Sequence, residues 1–132
     1  MSAVYGDDRR LAFPDRARSG PYLRSICLSQ HAAARIYPWG VVGAVADNAA
    51  GYAAYSLVDL DVSVLTVEYK LSLLAPAKGE RVEARAVVMR SGRTLMIVRL
   101  DVSAYDDGME RLCATAVVTL IRMAGRSDQS RE

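Results

Sequence analysis

The sequence has few of the residues that build metal and thiol sites, since only one of its 132 residues is histidine and two are cysteine. A single histidine, His31, excludes zinc motifs that need a histidine pair, and Cys27 and Cys113 lie too far apart to form a C-x-x-C pair. Glycine-rich phosphate loops and the G-x-S-x-G elbow are also missing. We therefore expect no metal, no resident cofactor and two buried thiols in a reducing cytoplasm.

Strong charge, aromatic residues and long apolar runs are scarce as well. The net charge is +2 and aromatics make up 7% of the residues, which argues against a basic or base-stacking nucleic-acid surface. No apolar run approaches the ~18 residues of a membrane-spanning helix. The apolar content of 52% suits one globular domain. We expect a cytoplasmic protein without nucleic-acid or membrane partners.

Three segments are predicted along the chain. Residues 1–20 are polar and arginine-rich and are predicted to form a flexible arm. Residues 21–123 form the folded domain, and residues 124–132 form a polar tail.

The folded domain opens with one strand and one long helix. Residues 22–29 form a short strand candidate. Residues 39–57 are apolar almost throughout and rich in alanine and glycine, and their length favours a buried helix over a strand. Pro38 suits the start of this helix, where a missing N–H costs little.

Four further runs, residues 64–74, 80–90, 94–105 and 111–122, alternate with a period of two and predict half-buried antiparallel strands. The positions predicted to face inward are Leu65, Val67, Tyr69, Leu71, Leu73, Val82, Ala84, Ala86, Val88, Met96, Val98, Leu100, Val102, Ala104, Leu112, Ala114, Ala116, Val118 and Leu120. Turn residues separate the runs. The pattern predicts an α+β fold in which one antiparallel sheet, ending in a four-strand meander, wraps one helix.

Asp47 is the one charged residue inside the predicted helix, on a face otherwise made of small residues. It either marks a small exposed or hydrogen-bonded patch together with Asn48, or it lines a cleft as general base or nucleophile. The free N–H groups of Trp39 and Gly40 at the helix start could hold an oxyanion. Because they precede Asp47 by about two turns, roughly 10 Å, the spacing indicates a site shared between two subunits.

These residues carry a resemblance to a known family. The stretch WGVVGAVADNAAGY, residues 39–52, resembles the helix of the hotdog-fold acyl-CoA thioesterases of the PaaI-like (phenylacetate-pathway) group. Residues 66–79 resemble the family's next strand and its Pro-Ala-x-x-Gly turn, and residues 88–102 resemble the hairpin that follows. The resemblance extends over residues 22–123.

The resemblance implies a hotdog fold, a long central helix wrapped by a curved antiparallel sheet of five to six strands, in homodimers that often pair into homotetramers. It implies hydrolysis of an acyl-CoA or acyl-carrier thioester at the dimer interface. The family's catalytic carboxylate falls on Asp47, its oxyanion-hole N–H on Trp39 or Gly40, and its water-positioning hydroxyl on Thr66.

The sequence departs from the family pattern around the start of the helix. Pro38 stands in place of the motif histidine, Trp39 in place of the first motif glycine, and Ala32 in place of a frequent asparagine. Gln30 and His31, close to that position, are the candidates for the asparagine's role in substrate binding.

Arginines are candidates for binding the phosphates of CoA. Arg90 and Arg93 flank a predicted hairpin turn within a basic stretch, and the planar guanidinium suits phosphate. A solvated sheet face explains the same arginines without a ligand. Asn48, next to Asp47, is a further candidate substrate-binding residue.

Three functions are compatible with these observations. The first is an acyl-CoA thioesterase. The second is a non-catalytic hotdog protein that binds acyl-CoA or another apolar ligand, which the loss of the motif histidine favours. The third, a dehydratase or hydratase, needs a catalytic histidine, and His31 lies in a poor position for that role.

Overall fold

The computed structural model describes residues 2–5, 11–12, 23–29 and 36–125, the first three segments as backbone alone. The strands are β1 (Ser2–Tyr5), β2 (Leu11–Ala12), β3 (Leu23–Ser29), β4 (Val62–Leu73), β5 (Arg81–Ser91), β6 (Leu95–Asp106) and β7 (Met109–Ala124). The helix α1 spans Trp39–Tyr55. The predicted helix and the five long strands are therefore present, within a few residues of their predicted ends.

These strands form one sheet in the order β2-β1-β3-β5-β6-β7-β4. The five long strands pair antiparallel, as predicted, while β1 pairs with β3 in parallel. The short strands β1 and β2 lie in the segment that was predicted to be an arm. The flexibility of that segment stays a prediction. Most of the predicted tail lies outside the described residues.

The predicted four-strand meander is wrong in one connection, because β4 pairs with β7 and not with β5. The link between β4 and β5 crosses the end of the sheet and is held there by backbone hydrogen bonds. Tyr37 N donates to Ala77 O over 2.8 Å, and Leu74 N donates to Cys113 O over 2.8 Å. This crossing leaves β4 at one edge of the described sheet.

The core lies between one face of the sheet and the helix. The helix contributes mainly small buried residues, so it packs close to the sheet, and the larger side chains come from the strands. The largest fully buried side chains are Tyr37, Val42, Val82, Met96, Val98, Leu100, Val102, Cys113, Val118 and Leu120. Within the described part of the chain, no helix is both long and apolar enough to cross a membrane.

A β-bulge in β4 overturns part of the predicted alternation. The pairing shifts between Thr66 and Glu68, so Val67 has no partner on β7. Before the bulge, Val64 and Thr66 are on the helix side of the sheet, and Leu65 is 56% exposed. Beyond it, Tyr69 and Leu71 are on that side. The predicted inward positions of Leu65 and Val67 are therefore wrong.

A second shift lies between β6 and β7, where Val102 pairs with Ala114 but Ser103 pairs with Leu112. Cys113 is the extra residue, and it is buried while Leu112 is 44% exposed. The predicted inward position of Leu112 is wrong for this reason. The predicted faces of β5 and of β6 as far as Ala104 are confirmed.

Candidate active site

Asp47 and Thr66 meet across the space between the helix and the edge strand. Thr66 Oγ1 donates a hydrogen bond to Asp47 Oδ1 over 2.8 Å. Both side chains are partly buried, so the carboxylate is fixed by the hydroxyl without being withdrawn from solvent. A hydrogen bond to an ionised acceptor is stronger than one between neutral groups, and here it orients the one carboxylate of the helix.

A cleft of about 480 Å³ opens beside this pair. Helix α1 forms one wall, and β4 together with β7 forms the other. The residues that line it are Asp47, Asn48, Gly51, Tyr52, Tyr55, Val64, Leu65, Thr66 and Leu120. The walls expose apolar and polar groups in similar amounts, and Asp47, Asn48 and Thr66 are among the polar ones.

The start of the helix carries two backbone donors that have no acceptor among the described residues. Pro38 precedes the first turn without a side-chain cap, and its carbonyl accepts hydrogen bonds from Val41 N and Val42 N. Among the described residues, none accepts a hydrogen bond from the N–H of Trp39 or Gly40. Trp39 is 40% exposed. These two donors are accessible at the positive end of the helix dipole, two turns before Asp47.

The structure brings some of the predicted site residues together and separates others. Asn48 lines the cleft beside Asp47, and its Nδ2 donates to Ala44 O over 2.9 Å. Arg90 and Arg93 are exposed at the β5–β6 hairpin and do not line the cleft. Gln30 and His31 lie outside the described residues.

Sequence reasoning missed several residues of the cleft wall. Tyr55 follows Asp47 at helical spacing, which was a usable signal for a shared face. Leu120 joins them because it pairs with Thr66 across the sheet. Strand pairing is not visible in a single sequence, so this neighbour had no local signal.

A charged cluster occupies the sheet face opposite the helix. Arg85 contacts Glu83 over 2.9 Å, Glu110 over 3.0 Å and the Tyr105 hydroxyl. A hydrogen bond from Ser103 holds the pKa of Glu110 below its usual value, and burial raises the pKa of Tyr105. Both ion pairs of Arg85 are at least partly exposed to solvent, so each contributes no more than about 1 kcal/mol. Arg85 therefore acts as part of a solvated sheet face.

Comparison with known proteins places the chain among thioesterases. The model of the thioesterase superfamily matches residues 40–119. A thioesterase family protein from Silicibacter pomeroyi is 38% identical, with 82% of each chain covered and a TM-score of 0.76. A phenylacetic acid degradation-related protein from Ralstonia eutropha is 28% identical, with 66% of this chain and 63% of that chain covered and a TM-score of 0.58.

A Bacillus halodurans protein solved with CoA shares the fold at 19% identity, with 67% of this chain and 56% of that chain covered and a TM-score of 0.62. No curated protein matches this sequence. The family model covers more than half of the chain, and the resemblance to the hotdog thioesterases is confirmed. This chain belongs to the thioesterase superfamily and has the hotdog fold.

Proposed function

We propose that the protein hydrolyses an acyl-CoA thioester and that Asp47 is its catalytic carboxylate. The observation that carries this proposal is the hydrogen bond from Thr66 to Asp47 at the wall of the cleft. A carboxylate fixed at the wall of a cleft is suited to receive a proton from water next to a bound acyl group. Family membership supports thioester hydrolysis in general, and the CoA carried by the Bacillus halodurans neighbour supports CoA as the thiol.

In the proposed reaction, Asp47 takes a proton from a water molecule while that water attacks the thioester carbonyl carbon. The C–S bond of the tetrahedral intermediate then breaks, the carbonyl re-forms as a carboxylic acid, and the CoA thiolate takes up the proton. In a second route, Asp47 attacks the carbonyl carbon itself and forms an anhydride, which water then hydrolyses. Mass spectrometry after a rapid quench distinguishes them, because only the second route acylates Asp47.

We also propose that the site is shared between two subunits. The free N–H groups of Trp39 and Gly40 lie two turns from Asp47, too far to contact the same carbonyl within one chain. In a homodimer the helix start of one copy can complete the site of the other. Sedimentation that shows a strict monomer in the presence of activity would contradict this part of the proposal.

Arg90 and Arg93 are proposed to bind the phosphates of CoA from outside the cleft. Both are exposed at the β5–β6 hairpin, which leaves their guanidinium groups accessible to a phosphate. The Arg90→Gln and Arg93→Gln variants should raise KM for acyl-CoA and leave hydrolysis of a thioester without the nucleotide unchanged.

The cytoplasm is the proposed compartment. Cys113 is a free, buried thiol, as is usual for proteins in a reducing compartment.

A second candidate function is ligand binding without catalysis. It is favoured by Pro38, which stands where the family pattern has histidine. The two functions separate when purified protein is incubated with acyl-CoAs of increasing chain length and released thiol is followed. Steady turnover of at least one acyl-CoA is the expected result. Saturable binding without thiol release from any of them would overturn the proposed hydrolysis.

A further inference from the structure

The side chain of Tyr69 reaches the helix one turn before Asp47. The bulge at Val67 turns both Thr66 and Tyr69 towards the helix, although an unbroken strand would point them to opposite sides. A Cβ atom placed on Gly43 would lie 3.3 Å from the Tyr69 hydroxyl oxygen. The glycine therefore allows this hydroxyl to lie against the helix surface.

The Tyr69 hydroxyl and the Asp47 carboxylate are placed on the same side of the helix. Gly43 and Asp47 are four residues apart, which separates them by about 6 Å along the axis on one face. An electrophilic carbon bound between two such groups would have a carboxylate and its water on one side and a hydrogen-bond donor on the other. A hydrolytic site needs its base and its oxyanion donor on either side of the reacting atom, and here both groups lie along one face of the helix.

The hydroxyl is available to a ligand. Within the described part of the chain, the Tyr69 hydroxyl makes no hydrogen bond, and the residue is 50% exposed. The sequence contains one histidine, His31, and it lies outside the described residues. Among the described residues, Tyr69 is thus a side-chain donor without an acceptor, one helical turn from the proposed catalytic carboxylate.

We propose that Tyr69 is a further catalytic residue, which donates a hydrogen bond to the carbonyl oxygen of the bound thioester; this inference rests on the proposed hydrolysis. As water attacks, the carbonyl π electrons move onto that oxygen, and the phenolic O–H stabilises the negative charge. Tyr69 keeps its proton throughout. When the C–S bond breaks, the carbonyl re-forms and the thiolate carries the bonding pair away.

The experiment compares Tyr69→Phe with wild type, using the best acyl-CoA. Loss of an oxyanion donor typically costs about 100-fold or more in kcat, and a site with further backbone donors should lose at least about tenfold. KM and the melting temperature should stay near the wild-type values, since the phenyl ring still packs at Gly43. Tyr105→Phe, on the opposite face of the sheet, is the matched control and should keep full kcat.

Gly43→Ala adds an independent readout, because its methyl group would lie 3.3 Å from the hydroxyl oxygen and would shift it by a few tenths of an ångström. It should lower kcat in the wild-type background and cause no further loss in Tyr69→Phe, since the tightly packed oxygen is then absent. Equal losses in both backgrounds would overturn the role of the hydroxyl.

The outcomes also separate this inference from the proposed function. A Tyr69→Phe kcat within about twofold of wild type, alongside an inactive Asp47→Asn, would overturn the role of Tyr69 and leave the hydrolysis standing. A rise in KM alone would assign Tyr69 to ground-state binding and would also overturn it. Absence of thiol release by the wild type would overturn both proposals.

Discussion

Removing the Thr66 hydroxyl should slow catalysis without unfolding the protein. Thr66→Val keeps the shape of the side chain but leaves Asp47 Oδ1 without the hydrogen bond of 2.8 Å. A hydrogen bond to a charged group contributes about 1.5–3 kcal/mol. Asp47 is only partly buried, so water replaces the lost donor in the free protein, and the melting temperature should change little.

The cost should therefore appear in the reaction, where the carboxylate must hold one orientation. If the full interaction is needed in the transition state, its loss lowers kcat by about 10- to 150-fold. The assay is release of free thiol from a saturating acyl-CoA. Thr66→Ser, which keeps the donor, is the control and should stay within about threefold of wild type. A Thr66→Val enzyme that turns over as fast as Thr66→Ser would refute the reasoning.

Two further predictions concern stability. Gly79→Ala should destabilise the fold by at least about 3 kcal/mol in denaturant unfolding. The reason is that Gly79 has φ +147° and that a Cβ there would lie 2.1 Å from Tyr105 O. Gly51→Ala, with open space around the added Cβ, should instead stabilise the fold by about 0.5–1 kcal/mol. Burial raises the pKa of the Cys113 thiol in the folded protein, so the thiol of the unfolded chain ionises first as the pH rises. The stability that is present below the unfolded pKa of about 8.5 should therefore be lost as the pH rises towards the folded pKa. Urea titrations at several pH values should show this loss in wild type and a flatter dependence in Cys113→Ala.

The helix and the strands could be predicted from sequence because their signals are local. Asp47 stands out within a long apolar segment, and Pro38 marks where that segment begins as a helix. The strands beyond it alternate clearly, so their number and approximate ends follow. These signals depend on neighbours along the chain, which a single sequence displays.

The bulges and the pairing of β4 could not be predicted in this way. Thr66 and Tyr69 are three residues apart, and period-two alternation assigns them to opposite faces. Whether Val67 is extruded depends on how β4 pairs with β7, a long-range contact. The same holds for Cys113, which takes the inward place expected of Leu112 because β7 shifts against β6.

Only part of the candidate site could be predicted from the sequence. Asp47 could be named as the one carboxylate of an apolar helix and Thr66 from a family motif, and the structure places them in contact. Tyr69 matches no motif residue, and its position depends on the bulge and on the missing side chain of Gly43. A site residue whose place depends on tertiary contacts carries no signal at its own position in the sequence.

The most direct test of the central claim is the kcat of Asp47→Asn with the best acyl-CoA substrate. Asparagine keeps the size of the side chain and can still contact Thr66, but it cannot take a proton from water or attack the thioester. We expect kcat to fall by at least about 1,000-fold with little change in melting temperature, while Asp59→Asn, an exposed carboxylate beyond the helix, keeps full activity. An Asp47→Asn protein that releases thiol at a rate close to wild type would contradict the account.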